Sequence, residues 1–259
     1  MNHVNPVPRG RGLTRSGRLI LLLGGGMMLW TSILPATVAP TKFAEGLAAC
    51  ERKDFARAAE GFASLATNEP SFGVFLNLGN AEWQQGRTAA AILAWERAAQ
   101  IDPFRVEAAN NLQFARQSAQ LESPDRTWYE ATAAWLPAGW WAWLAALSFW
   151  LALAALLLPG VLRWRRSVWP QAAGAVGLGV FLLTLPANYG VWTRTALGVA
   201  RQNETPLRLT PTATGEPATR LAAGEPGRVV RARGNFLLVE TRRGRGWLTR
   251  EEFGWLYGE

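Results

Sequence analysis

The sequence predicts a multidomain membrane protein in three parts: an α-helical repeat solenoid, a two-helix transmembrane hairpin and a small all-β barrel. Three observations predict it. Helix-period segments with regularly placed small and aromatic residues come first, two long uncharged runs flanking an arginine cluster come next, and short alternating strands bounded by Gly, Pro and Asn close the chain.

Residues 1–39 read as a signal peptide or signal anchor. Arg9, Arg11, Arg15 and Arg18 precede an uncharged run over 19–41, and Thr37-Val38-Ala39 is a small-residue cleavage site. Pro40 directly after the cut disfavours cleavage, so both outcomes stay open. Either one exports the chain beyond Lys42.

Charge supports that direction. The 259-residue chain carries a formal net charge of +8, which read whole would suggest a nucleic-acid partner. Divided along the chain, it does not. The arm holds four arginines and no acid, and the cluster Arg163-Trp-Arg-Arg166 adds three more, whereas 40–125 has eight basic and eleven acidic residues. Positive charge in short segments beside a span stays in the cytoplasm. Arm and cluster are expected inside, the bulk of the protein outside, and no nucleic acid is expected to bind.

The segment 40–120 contains an internal repeat. Phe75-Leu-Asn-Leu78-Gly79-Asn80-Ala81 is followed by Gly86, Ala91-Ile92, Trp95, Ala98 and Asp102-Pro103, and a weaker copy lies in register at Gly46, Phe55, Ala58, Phe62 and Pro70. The Leu-Gly pair, turn glycine, alanine and aromatic knobs and closing proline resemble the tetratricopeptide repeat. Gly79 and Ala81 let the first helix approach the second, and Trp95 fills the groove left between alanines. Two repeats are expected, then a solvating helix over 106–120 with Leu112 and Phe114 packing back. The resemblance implies a peptide groove, with Leu76, Asn77, Asn80, Trp83 and Asn111 as candidates. Asn80 and Asn111 match the positions that hydrogen-bond an extended ligand in peptide-clamping members, and they also read as ordinary polar residues. Leu76 stands where those members carry a lysine, which argues against capture of a C-terminal carboxylate. Cys50, the only cysteine, allows no internal disulfide. It reads as a lipid-modified or a small buried residue, and the charged gap before it disfavours lipidation.

Residues 121–139, with Trp128-Tyr129 and Trp135, read as an interfacial linker on the outer leaflet. The hairpin occupies 140–193. The run 140–162 is interrupted only by Ser148, Pro159 and Gly160, and 167–193 has no charge, with a span over 172–192. At ~1.5 Å per residue each run crosses a ~30 Å hydrocarbon core once. Ala173/Gly177 and Ala175/Gly179 permit close approach to the first span. Pro186 and Asn188 read as a loosened outer end. Neither span carries an ionisable residue, which argues against an ion path.

From 205 to 259 the period changes to two. Leu207-Arg-Leu209, Gly227-Arg-Val-Val-Arg-Ala, Phe236-Leu-Leu-Val-Glu, Gly246-Trp247-Leu248 and Phe253 form short strands with turns at Gly234-Asn235 and Arg242–Arg245. Their order resembles a bacterial SH3-like (SH3b) barrel. Trp247 reads as core or as a ligand platform, the second reading implying peptidoglycan stems as ligand.

Signal, repeats, hairpin and SH3b tail in this order resemble the BatE-like membrane proteins of aerotolerance operons. The helix Asn-Asn-Leu-Gln-Phe-Ala-Arg116 and the Trp-Ala-Trp start of the first span belong to the likeness. It implies an inner-membrane, two-span protein with both exported domains in the periplasm, in a complex with von Willebrand A-type Bat proteins and a MoxR-type ATPase linked to stress tolerance. A membrane-anchored interaction scaffold is the expected function, and a peptidoglycan-binding envelope sensor acting through the SH3b domain is the alternative. No enzymatic role is expected. The one histidine is His3, no Gly-rich phosphate loop is present, and no catalytic residue, metal site or cofactor is expected.

Overall fold

The computed structural model describes residues 39–161 and 168–257. Apart from Ala39, the signal segment lies outside the described residues, as do the loop arginines Arg163, Arg165 and Arg166.

Five helices open the structure: α1 (Ala39–Glu51), α2 (Phe55–Asn68), α3 (Phe72–Gln84), α4 (Thr88–Ile101) and α5 (Val106–Ser118). Side chains start two of them. Asp54 accepts from the Arg57 amide at 3.2 Å, and Ser71 Oγ accepts from the Val74 amide at 3.3 Å, each satisfying a donor the helix cannot. The pair α3–α4 repeats α1–α2 with an offset of 33 residues in its contacts as well as its letters. A Cβ on Gly46 would stand 2.8 Å from the Phe62 ring, and one on Gly79 would stand 2.5 Å from Trp95. Lys53 and Gly86 take the same left-handed turn, with φ of 60° and 73°. Only glycine does so without strain. A fifth helix follows this pair as α5, with Leu112 buried as expected. Phe114 packs back only by one ring edge on Trp83 and is 58% exposed, on the groove side of the helix.

A six-residue helix, α6 (Trp128–Ala133), precedes the hairpin of α7 (Ala138–Val161) and α8 (Val168–Thr193). Both hairpin helices are long and apolar enough to cross a membrane, and only 6% and 11% of their most apolar windows are buried in the protein. A core helix would show the reverse. Gly174 meets Leu156, Gly177 meets Ala152, Phe181 lies 5.3 Å from Phe149, and Asn188 Nδ2 donates to the Trp141 carbonyl at 3.2 Å. Numbers rising on α8 fall on α7, so the helices are antiparallel and touch along their length. The small-residue reading is half right, since Gly177 is at the contact and Gly179 faces open space. The outer end is not loosened. Helix α8 continues through Pro186 to Thr193, with Asn188 donating also to Thr184 O at 3.0 Å beside the proline.

Seven strands complete the chain: β1 (Leu197–Ala200), β2 (Thr205–Arg208), β3 (Pro217–Leu221), β4 (Pro226–Arg233), β5 (Phe236–Thr241), β6 (Gly244–Thr249) and β7 (Phe253–Trp255). They form one antiparallel sheet in the order β3-β2-β6-β5-β4-β1-β7. Leu207, Leu221, Leu237, Val239, Leu248 and Phe253 fill its core. The expected start at 205 is too late, because β1 begins four residues after α8 ends and holds β4 to β7.

Helices and sheet share a core. Leu197, Val199 and Leu256 pack with Ile92, Trp95 and Leu112, and Gln100 Nε2 donates to the Leu256 carbonyl at 2.9 Å. Gly224 and Gly254 allow the contact, since side chains there would strike Ile92 and Leu93 at 2.8 and 2.5 Å. From residue 39 on, the chain is a single body rather than beads on a string.

Candidate functional site

Helix α3 places Asn77, Asn80 and Trp83 on one face by their three-residue spacing. Helix α5 brings Asn111 and Phe114 opposite, and Cys50 and Phe55 close one end. Together they line a groove of about 440 Å³ with no charged side chain in its wall. Four of the five groove candidates therefore meet. Leu76 does not; it turns away and packs in the core beside Ala91, Ile92 and Phe75.

Hydrogen bonding gives the groove a fixed polarity. The Trp95 indole, a donor only, gives its proton to Asn80 Oδ1 at 3.1 Å. That assigns the Asn80 amide, and Asn111 Nδ2 donates to the same oxygen at 3.0 Å. Asn80 Nδ2 and Asn111 Oδ1 keep free capacity, one donor and one acceptor, which is what an extended backbone offers in reverse. Asn77 is tied back to Gly73 O at 2.8 Å. Trp83 leans on Trp95 and meets Phe114 edge-on, with ring centres 5.9 and 5.7 Å apart. Burial pushes the Cys50 thiol up, so it lines the groove as a neutral group.

A second feature has no signature in the sequence. Glu96, on α4, is 2% exposed and binds both Arg116 and Arg126. Glu130, on α6, is fully buried and takes two hydrogen bonds from Arg228 of β4, at 2.7 and 2.8 Å. Burial alone would raise the Glu130 pKa. Hydrogen bonds from Arg228, the Thr127 amide and Thr193 outweigh it and bring the value down to about 2. Arg228 also donates to the Thr193 carbonyl at the end of α8. These pairs join the helical unit, the sheet and the end of the hairpin where α7 starts and α8 finishes. A buried Glu two residues after Trp128 carries no local signal, because its partner comes 98 residues later.

Trp247 is not core. It is half-buried on the face of β6 opposite Leu248, beside Leu238 and Arg208 in the register, while Leu248 and Leu237 point inward. Arg208 is held there by Glu252 at 2.9 and 3.0 Å.

No protein-family model matches this chain, and no curated protein matches it either.

Proposed function

We propose that the chain is a membrane-anchored scaffold for protein–protein contacts in the bacterial cell envelope. In this reading the five-helix unit is a tetratricopeptide pair with its solvating helix, and the sheet is an SH3-like barrel. Both lie on the periplasmic side of the inner membrane, and the protein works in a BatE-like complex. The observation that carries the reading is the uncharged groove, where Asn80 and Asn111 offer one donor and one acceptor beside Trp83 and Phe114. Such a wall suits a neutral extended segment of a partner, by backbone hydrogen bonds and apolar side-chain contacts. The groove is short, so affinity from it is modest. Anchoring in the partner's bilayer compensates through effective concentration.

Co-purification from native membranes tests this with Asn111→Ala/Phe114→Ala. Phe114 is exposed, and Asn111 gives up one hydrogen bond worth about 0.5–1.5 kcal/mol, so the fold stands. Partner recovery is expected to fall several-fold with the melting temperature little changed. Undiminished recovery would leave the groove without a role.

A second reading, a peptidoglycan-binding sensor, draws on Trp247, half-buried on the outer face of the sheet between Leu238 and Arg208. An indole beside a guanidinium suits a sugar–peptide stem.

A further inference from the structure

Arg194 directly succeeds the last residue of α8 and is 4% exposed. Its guanidinium stacks on the Tyr257 ring, 4.9 Å from the centroid, and its Nε has no hydrogen-bond partner among the described residues. The neighbouring carboxylates are taken: Glu96 by Arg116 and Arg126, Glu130 by Arg228. Neither carboxylate is hydrogen-bonded to Arg194. A buried guanidinium that stacks on an aromatic ring but has no acceptor for its Nε–H is costly unless an acceptor of opposite charge accompanies it.

An opening lies beside it. Arg194, Arg126, Arg105, Glu96, Gln100 and Tyr257 line a pocket of about 140 Å³ between α4, the turn before α5 and the segment joining α6 to α7, with the Glu96 carboxylate neutralised by Arg116 and Arg126. Water takes ~30 Å³ per molecule, so there is room for a tetrahedral anion. The position narrows the ligand. Ala134 and Leu136, just before α7, are part of its lining, and Trp128, Trp135 and Trp192 are exposed around the same end of the hairpin. Tryptophans so placed mark the headgroup zone of a bilayer.

We propose that this pocket binds a phosphate group, delivered by the headgroup of an anionic phospholipid in the leaflet that meets the outer end of the hairpin. Arginine suits phosphate because its planar donors match two oxygens at once. The inference takes from the proposed function only that the hairpin is in a membrane, and it is independent of the groove.

Thermal melting of the full-length protein in lipid nanodiscs tests it. Wild type is compared in phosphatidylcholine, in phosphatidylcholine with inorganic phosphate, and in phosphatidylcholine mixed with phosphatidylglycerol. The phosphatidylglycerol discs are expected to raise the melting temperature by roughly 5 °C. In Arg194→Met the response should vanish, while the variant in phosphatidylcholine melts no lower than wild type, because an unpaired buried charge has been removed. Arg194→Lys should keep part of the response, and Arg220→Gln, an exposed arginine on β3, all of it. A rise with inorganic phosphate as large as with the lipid would keep the phosphate site but assign it to a soluble anion, overturning the lipid source. No rise in either, or an equal rise in Arg194→Met, overturns the site. Partner co-purification reads the groove separately, so the two readings fail independently.

Discussion

Glu130 shows how much one side chain can hold when water is excluded. Arg228 hydrogen-bonds both oxygens of its carboxylate, and that pair ties α6 to β4. Removing one partner of a buried pair strands the other, so Glu130→Gln is expected to cost about 3 kcal/mol near neutral pH. The pH dependence has a definite sign. The folded pKa is about 2 against an ordinary 4.5, so the carboxylate binds fewer protons in the folded state than in the unfolded one. Its contribution is complete above roughly pH 4.5 and is lost as pH falls toward 2. Melting curves across this range should show wild type losing stability that Glu130→Gln never had. A variant melting like wild type at every pH would remove the pair from the account of stability. Asn80 is the contrasting case. Its place in a groove was legible from the repeat, but its carbonyl is already committed to Trp95 and Asn111, a fact of three helices together.

Legibility at the level of elements tracks the range of the contacts. The helical unit was readable because each decisive contact, Gly46 with Phe62 or Gly79 with Trp95, lies 16 residues along the chain and recurs. The hairpin was readable from hydropathy alone. Strands β1 and β3 were missed because Leu197-Gly-Val-Ala reads as the tail of an apolar run and Pro217–Leu221 carries no alternation. In Gly246-Trp247-Leu248 the sequence cannot say which neighbour faces in, since a one-residue shift exchanges the two faces. The register does say: Leu248 opposes Leu237 inside, Trp247 opposes Leu238 outside. Leu248→Ala should therefore cost about 2–5 kcal/mol, and Trp247→Ala about 1 kcal/mol with the fold retained. Thermal denaturation of the full chain compares them, and a larger loss from Trp247→Ala would mean the strand is turned over. If Trp247→Ala keeps its fold but loses muropeptide recovery, the outer face is a ligand platform.

For the whole molecule, geometry and charge combine into a topology. The antiparallel register places the start of α7 and the end of α8 at one end of the hairpin, and the Glu130–Arg228 pair fastens the sheet there. Helical unit and sheet thus leave the hairpin together, at the end away from 162–167. The orientation is a proposal that rests on the sequence. Arg163, Arg165 and Arg166 stand unopposed by any acid in that loop, and their transfer across a bilayer is unfavourable. Cysteine labelling in intact cells checks the result, in a Cys50→Ala background because the native thiol would report too. Thr212→Cys lies on the exposed β2–β3 turn and is expected to react with an impermeant maleimide. Ser167→Cys should react only after the membrane is opened. The opposite pattern would reverse the orientation and put the groove in the cytoplasm, beyond any exported partner. Reaction at both sites in sealed cells would mean that the hairpin does not cross at all, and that its apolar surface must be covered by another protein.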